Sequence, residues 1–390
     1  MAQNGLQKVA FRFVLTVGIV NLFADLTYEG ARANTGPFLS TLGASAAAVG
    51  LIAGSGELLG YALRSVSGYV ADKTHQYWAV IFVGYFINML AVPALALAGN
   101  WPLAGALIVA ERTGRAIRRP AVESMISHAG KSIGRGWVFG LNEALDQGGA
   151  TVGPLLTALV LYLHGMYHKA FAILLIPAIL CLVTLAIARI EYPRPQELEQ
   201  NEPKPLASKG FSRAYWTYLL AGALIACGFA DFSLIAFHFH KTGVVDQNLI
   251  PIFYAAAMAS GALAAVILGR LLDRIGLPAL LSAFALPILS APLVFLGDSR
   301  MALAGMILWG IGMGAQDSSL KAVLAGIVPS ERRSTAFGVF DTGFGIAWFL
   351  GSAAMGLLYD RSILAVVLFS VVMQVAAIPV LYVAHKREAA

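Results

Sequence analysis

Apolar runs of about 20 residues, each long enough to cross a bilayer as a helix, follow one another along nearly the whole chain. They fall at roughly 9–31, 45–70, 77–99, 102–129, 136–163, 168–190, 213–238, 249–271, 277–297, 301–328, 334–358 and 362–384, about twelve in all. A backbone that faces lipid must satisfy its hydrogen bonds internally, so these runs are expected to be helices. One segment breaks the rhythm. Residues 191–212 carry Pro193, Pro195, Pro203 and Pro205 among many charges. This composition predicts a solvated linker between a first bundle, 1–190, and a second, 213–390.

Composition sharpens the class. Only 12% of the residues are charged, against about 25% in a soluble domain, so a soluble domain has no stretch of its own. The net charge of +6 does not point to nucleic acid, because the basic residues form no aromatic-rich patch. They sit between the apolar runs. With both termini on one side, that side gathers Lys8, Arg12, Lys73, Lys131, Arg135, Arg189, Arg194, Lys204, Lys209, Arg213, Arg270, Arg274, Arg332, Arg333, Lys386 and Arg387. The other side keeps Arg32, Lys169, Lys241, Arg300 and Arg361. The positive-inside rule then puts both termini in the cytoplasm of an inner (plasma) membrane protein. The first apolar run is too long for a cleavable signal and contains Asn21 and Asp25. Cys181 and Cys227 lie inside apolar runs and are expected as small core residues rather than a disulfide.

The two halves repeat. Phe23-Ala24-Asp25 returns as Phe229-Ala230-Asp231, and Gly68-x-x-x-Asp72-Lys73 as Gly269-x-x-x-Asp273-Arg274. Arg135-x-x-x-Phe139-Gly140-x-x-Glu143 returns as Arg333-x-x-x-Phe337-Gly338-x-x-Asp341, and Gly153 as Gly351. The matches keep their order at an offset of roughly two hundred residues, the mark of a duplicated unit.

The doubled Gly-x-x-x-Asp-Lys/Arg motif, one copy after the second run of each half, resembles the major facilitator superfamily. The resemblance covers the whole chain and is nearest to the proton-coupled, twelve-helix prokaryotic members. It implies an all-α membrane protein of two pseudo-symmetric six-helix bundles. It also implies that Asp72 and Asp273, with Gly68, Lys73, Gly269 and Arg274, latch the cytoplasmic side while the outer side is open. The first copy continues Thr74-His75-Gln76 and lacks the family's next glycine and basic residue, whereas the second has Gly276. Gly149-x-x-x-Gly153-Pro154 resembles the start of the family's antiporter motif, with Thr157 and Ala158 where paired glycines should follow. That motif implies export in exchange for protons. Arg112 stands where many proton-coupled members keep an arginine, although Ala116 replaces the glycine expected four residues on. The stretch from Glu111 to Pro154 is similar to a group of prokaryotic facilitators to which no substrate attaches.

Charges inside apolar runs cost several kcal/mol unless paired or wet, so each is a functional candidate. In the first run Asn21, Asp25, Tyr28, Glu29 and Arg32 fall in one helical stripe, expected to face a central cavity between the halves. Asp25 has a counterpart in Asp231 and reads as architectural. Glu29 corresponds to Ile235, and this asymmetry favours it as a proton- or substrate-binding group, the alternative being a pair with Arg32 or a fourth-run arginine. Glu57, with Tyr61 and Arg64 on its face, reads equally as proton carrier or structural pair. In the fourth run Arg112, Arg115, Arg119 and Glu123 share a face, with Glu143 and Asp146 as expected partners. Arg118 and Arg119 are expected to hold helices together. The second half offers Asp231, His238, Gln316, Asp317, Lys321 and Asp341 as sparse polar points. Its aromatics, Phe229, Phe232, Phe237, Phe253, Tyr254, Trp309 and Trp348, read as packing or as the lining of an amphipathic site. His238 and His240 point to different helix faces, so no shared metal is expected, and no cofactor motif, nucleotide loop or nucleophile triad occurs.

The sequence therefore predicts a non-enzymatic secondary transporter working by alternating access as a monomer. Proton-coupled antiport that exports a small organic solute is the leading reading, and the excess of buried acids over bases favours a cationic or zwitterionic one. Proton-coupled uptake and a non-transporting receptor are the alternatives.

Overall fold

A computed structural model describes residues 2–44, 46–195, 210–245, 249–359 and 361–389. Most of the expected linker, 196–209, lies outside the described residues. The described residues are almost all helical, with no strand among them, and form twelve rods. The first half holds α1 (Ala2–Thr41), α2 (Ala46–Thr74), α3 (Tyr77–Ala94), α4 (Trp101–Ile133), α5 (Arg135–His164), and α6 (Tyr167–Ile173) running on into α7 (Leu175–Glu191). The second half holds α8 (Arg213–Gly228) with α9 (Phe232–Thr242), α10 (Ile250–Ile275), α11 (Leu277–Ala285) with α12 (Ser290–Leu296), α13 (Ser299–Ala315) with α14 (Lys321–Ile327), α15 (Arg333–Tyr359) and α16 (Ile363–Ala389).

Among the described residues, eight helical stretches are long and apolar enough to cross a membrane. Helix α4 is not one of them, and the reason is in its sequence: Glu111, Arg112, Arg115, Arg118, Arg119 and Glu123 all lie within it. Such a helix is tolerated in hydrocarbon only when its charged side is covered by protein. In keeping with this, α4 packs on α1, α2 and α3.

The chain clusters into two compact units. One comprises Met1–Ile133, Leu145–Gln200 and Ser330–Val339, and the other Gly134–Ala144, Asn201–Pro329 and Phe340–Ala390. Each unit thus holds most of one half plus the opening turns of a helix from the other, α15 in the first case and α5 in the second. Inside the first unit α3 packs on α4, and α1 on α7; inside the second α10 packs on α13, and α8 on α16.

Among the described residues the two halves differ in where their rods are interrupted, and one such break falls on a repeated motif. Helix α1 runs straight through Phe23-Ala24-Asp25. The matching Phe229-Ala230-Asp231 interrupts the rod between α8 and α9, with Phe229 extended at φ −88°, ψ 115°. Gly228 precedes the break where the first half has Leu22, and glycine favours such an exit. Backbone groups freed inside a membrane helix need partners, and they have them. The Gly228 carbonyl accepts from Ser370 Oγ at 2.6 Å and Gln374 Nε2 at 3.2 Å, and the Ala230 carbonyl from Trp309 Nε1 at 2.8 Å. Cys181 and Cys227 are both free thiols.

Candidate functional site

The first unit buries a polar cluster built on three helices. Helices α3 and α4 meet through glycines: a methyl on Gly114 would come within 2.5 Å of the Asn88 nitrogen, and one on Gly84 within 2.7 Å of the Gly114 carbonyl. Small residues let the backbones approach this closely. The approach brings Arg118 of α4 against Tyr85 of α3. Arg118 Nη1 donates to Tyr85 Oη at 3.0 Å and to Asn21 Oδ1 of α1 at 3.3 Å, and the Tyr85 hydroxyl also donates to Asn21 Oδ1. The guanidinium lies 4.2 Å from the Tyr85 ring centre and 6.0 Å from that of Tyr28. Only 5% of Arg118 is exposed.

A second layer of the cluster contains paired charges. Glu29 takes Arg32 at 3.2 Å and Arg115 at 3.7 Å. Glu111 takes Arg112 at 3.3 Å and Arg115 at 3.9 Å, and accepts from Asn88 Nδ2 at 3.0 Å. Arg115 also stacks 4.6 Å from the Tyr28 ring centre. Tyr28, Arg32, Glu111 and Arg112 line a small cleft of about 20 Å³, room for about one water. Asp25 is different. It is 5% exposed, bonds to the Tyr28 hydroxyl and lies in the field of Arg118, yet it makes no ion pair among the described residues. Its charge can change without breaking any described salt bridge.

Arg118, grouped with Arg119 as a helix-pairing residue by sequence, sits at the centre of this cluster, while Arg119 closes on Glu123 at 3.0 Å. Tyr85 and Asn88 were missed altogether. They are polar positions three apart in an apolar run, fully buried, and that spacing was the available signal. Because the Glu29 pairs are partly open to solvent, exposed ion pairs being worth at most about 1 kcal/mol, Glu29→Gln is expected to leave the thermal midpoint in detergent close to that of the parent. A large drop in a thermal-shift assay would place Glu29 among the structural residues.

Helix α5 presses glycines onto α1 beside Asp25. Any side chain at Gly149 would meet the Leu22 carbonyl and lie 3.0 Å from Asp25 Cβ, and one at Gly153 would meet the Leu26 carbonyl. Pro154 follows inside α5. Thr157, standing where a glycine was expected, puts its hydroxyl 3.1 Å from the Gly30 carbonyl and accepts from Asn34 Nδ2 at 2.9 Å. The repeat mate Gly351 seats on the Cys227 backbone in the second unit.

The two aspartates of the doubled motif each cap a helix start. Asp72, at the end of α2, accepts from the amides of Ser334 at 3.3 Å and Thr335 at 2.6 Å, from Thr335 Oγ1 at 2.6 Å and from Tyr77 Oη at 2.8 Å. Asp273, at the end of α10, accepts from the amides of Gly136 at 2.8 Å and Trp137 at 2.7 Å. Both thus satisfy orphan donors at a helix N-terminus, where the dipole also favours negative charge. Burial pushes the Asp72 carboxyl above the usual range, opposed by its hydrogen bonds. Gly68 seats against the Ser334 carbonyl and Gly269 against that of Gly136. Lys73 lies over the Tyr69 ring, and Arg274 occupies the last turn of α10. Asp72→Ala is expected to raise hydrogen exchange at the Ser334 and Thr335 amides at least tenfold, read by mass spectrometry. Unchanged exchange would show that these amides do not depend on the cap.

The remaining candidates are dispersed. Asp146, in the first unit, acts electrostatically on Tyr85 and so lies close to the cluster, while buried Glu143 belongs to the second unit. Tyr61 stacks under Arg64 at 4.7 Å, and the Glu57 side chain lies outside the described residues. Asp231, at the broken rod, accepts from Trp348 Nε1 at 3.3 Å. His238 Nδ1 meets Tyr359 Oη at 2.9 Å, while the His240 and Phe237 side chains lie outside the described residues. Gln316, Asp317 and the residues to Leu320 form a π-helical turn between α13 and α14, a distortion frequent at functional sites. There Gln316 donates to the Gly312 carbonyl at 3.1 Å and Asp317 pairs with Lys321 at 3.7 Å. Asp341 is buried in α15. Phe229, Phe253 and Trp309 belong to the buried core of the second unit, with Phe232 and Trp348 packed against it. No group of metal-binding side chains occurs among the described residues.

Twelve helical rods among the described residues, in a chain whose halves repeat and whose charges are held in the protein interior, are the make-up of a multi-pass membrane protein. The sequence profile of the Major Facilitator Superfamily matches residues 17–352 and 254–390, and the chain belongs to that family, whose members are generally not enzymes. An uncharacterised protein of Mycobacterium tuberculosis is 38% identical over 382 residues, covering 96% of this chain and 93% of the relative. An uncharacterised MFS-type transporter of Methanocaldococcus jannaschii is 24% identical over 362 residues, covering 90% and 89%. Among solved structures, a bacterial homologue of the iron transporter ferroportin in its outward-facing state superposes with a TM-score of 0.75 at 13% identity, covering 96% of this chain and 99% of the other. The transporter FucP in the outward conformation gives 0.72 at 14%, covering 96% and 98%. At these identities the likeness is one of fold.

Proposed function

We propose that this transporter is a proton-coupled antiporter that exports a small organic solute across the inner (plasma) membrane by alternating access, with both termini in the cytoplasm and the monomer as working unit. The observation that carries the reading is Asp25, a buried carboxyl outside any described ion pair, set between Arg118, Tyr28 and the glycine face of α5. Proton and substrate compete for the state of this cluster. Uptake of a proton at Asp25 removes the negative charge that the Arg118 guanidinium and the Tyr28 hydroxyl stabilise, and loss of the proton restores it. Because Gly149 touches Asp25, a shift of α5 along α1 changes the surroundings of the carboxyl directly, which supports coupling of its charge to the conformational step. Glu111, held by Arg112, Arg115 and Asn88, keeps the arginines in place. The aspartate caps of the doubled motif act as latches that release during the cycle.

Inverted membrane vesicles energised to an acidic interior test this reading. A panel of organic cations, zwitterionic amino acids, sugars and organic anions is added and proton release followed with a pH-sensitive dye. Release by one compound class, absent from Asp25→Asn vesicles, is the expected result and names the substrate class. Proton movement found only in right-side-out vesicles, in the direction of substrate entry, would replace export by uptake.

A further inference from the structure

The second unit carries a cleft that the transport reading does not use. It is an open groove of about 520 Å³ between one face of α8, formed by Arg213, Trp216, Thr217 and Leu220, and a face of α16 that includes Val383 and Arg387. Its walls are largely apolar and open: Trp216 is 51% exposed and Leu220 52%. At one end stand two guanidiniums. Arg387 is tethered across the cleft by a 2.7 Å hydrogen bond from Nη1 to Thr217 Oγ1, one helical turn from Arg213. Neither arginine has an ion-pair partner among the described residues. Two positive charges at the mouth of an apolar groove, one of them tethered, on a protein surrounded by lipid, have the complementarity of one amphiphile: an anionic head on a hydrocarbon tail.

We propose that the α8–α16 cleft is a binding site for an anionic phospholipid, whose phosphate bridges Arg213 and Arg387 while an acyl chain lies along Trp216, Leu220 and Val383. Arginine suits this role because its planar fork donates two parallel bonds to phosphate oxygens. Basic pockets between transmembrane helices hold such heads in general. On the topology proposed above the site opens to the cytoplasmic leaflet, where anionic lipids concentrate. The lipid would brace α8, the helix that ends at the Gly228 break.

Native mass spectrometry of the intact, delipidated protein titrated with phosphatidylglycerol or phosphatidylcholine tests the assignment. The expected result is a tight phosphatidylglycerol adduct, at least tenfold weaker in Arg213→Gln/Arg387→Gln, unchanged in the control Arg361→Gln, and not matched by phosphatidylcholine. Both arginines are exposed, so the double variant is expected to fold, and its thermal midpoint is measured alongside. Equal binding of the two lipids, or an undiminished adduct in the double variant, would overturn the proposal. So would an adduct that appears only after Glu197, Glu199 and Glu202 are changed to glutamine, which would assign the arginines to the acidic linker instead. Displacement by millimolar inorganic phosphate alone would mark an anion site without a lipid tail and also contradict it.

Discussion

Replacing Arg118 by methionine is expected to lower stability by about 3–5 kcal/mol and to abolish transport. The magnitude is that of removing one partner from a buried charged network. The side chain volume is nearly kept, but Asn21 Oδ1 and Tyr85 Oη lose a charged donor, and Asp25 loses the nearby positive charge that opposes its own. Arg118→Lys keeps the charge and loses the fork. It is expected to fall between the two in thermal midpoint while transporting slowly. A methionine variant with parental stability would mean that the cluster is not under electrostatic load. One with parental stability and activity would remove Arg118 from the site altogether.

The second large effect is steric. Leucine at Gly149 or Gly153 is expected to cost 3 kcal/mol or more, the upper end of what overpacking does. Any Cβ there collides with backbone carbonyls of α1, which cannot rotate away as a side chain can. The neighbouring Gly148 is the control. A Cβ at that position finds only Leu22 Cδ1, at 4.0 Å, so Gly148→Leu should express and melt like the parent. Equal tolerance at all three glycines, measured by fluorescence-detected size exclusion after heating, would show that α5 does not press on α1 as described.

These two tests mark where sequence reading succeeded and where it stopped. The duplicated motifs could be read directly, because glycine at a helix contact and aspartate at a helix end are each demanded by local geometry. In the structure both aspartates sit on helix N-termini. The stripe Asn21, Asp25, Tyr28 and Glu29 was also legible, since period alone puts it on one face. Which arginine of α4 meets that stripe was not. Arg112, Arg115 and Arg119 share one face and Arg118 lies off it, yet Arg115 and Arg118 are the two that reach the stripe, and that outcome depends on how α4 is rotated against α3. That rotation is set by the Gly84–Gly114 contact, a relation between two helices that no single-helix pattern contains. The broken rod at Phe229 escaped for a related reason. Its sequence matches the unbroken copy in α1, and the difference lies in Gly228 and in distant partners, Ser370, Gln374 and Trp309.

The central claim is that Asp25 carries the coupled proton rather than merely filling space beside Arg118. Once a transported compound is in hand, reconstituted Asp25→Asn protein separates the two roles. Substrate exchange without a gradient requires only alternating access. Uphill transport driven by a pH difference requires the coupled proton as well. The account predicts that Asp25→Asn still exchanges labelled substrate across the membrane, within a few-fold of the parent rate, but no longer accumulates it when a pH gradient is imposed. Accumulation at the parental level in this variant would contradict it.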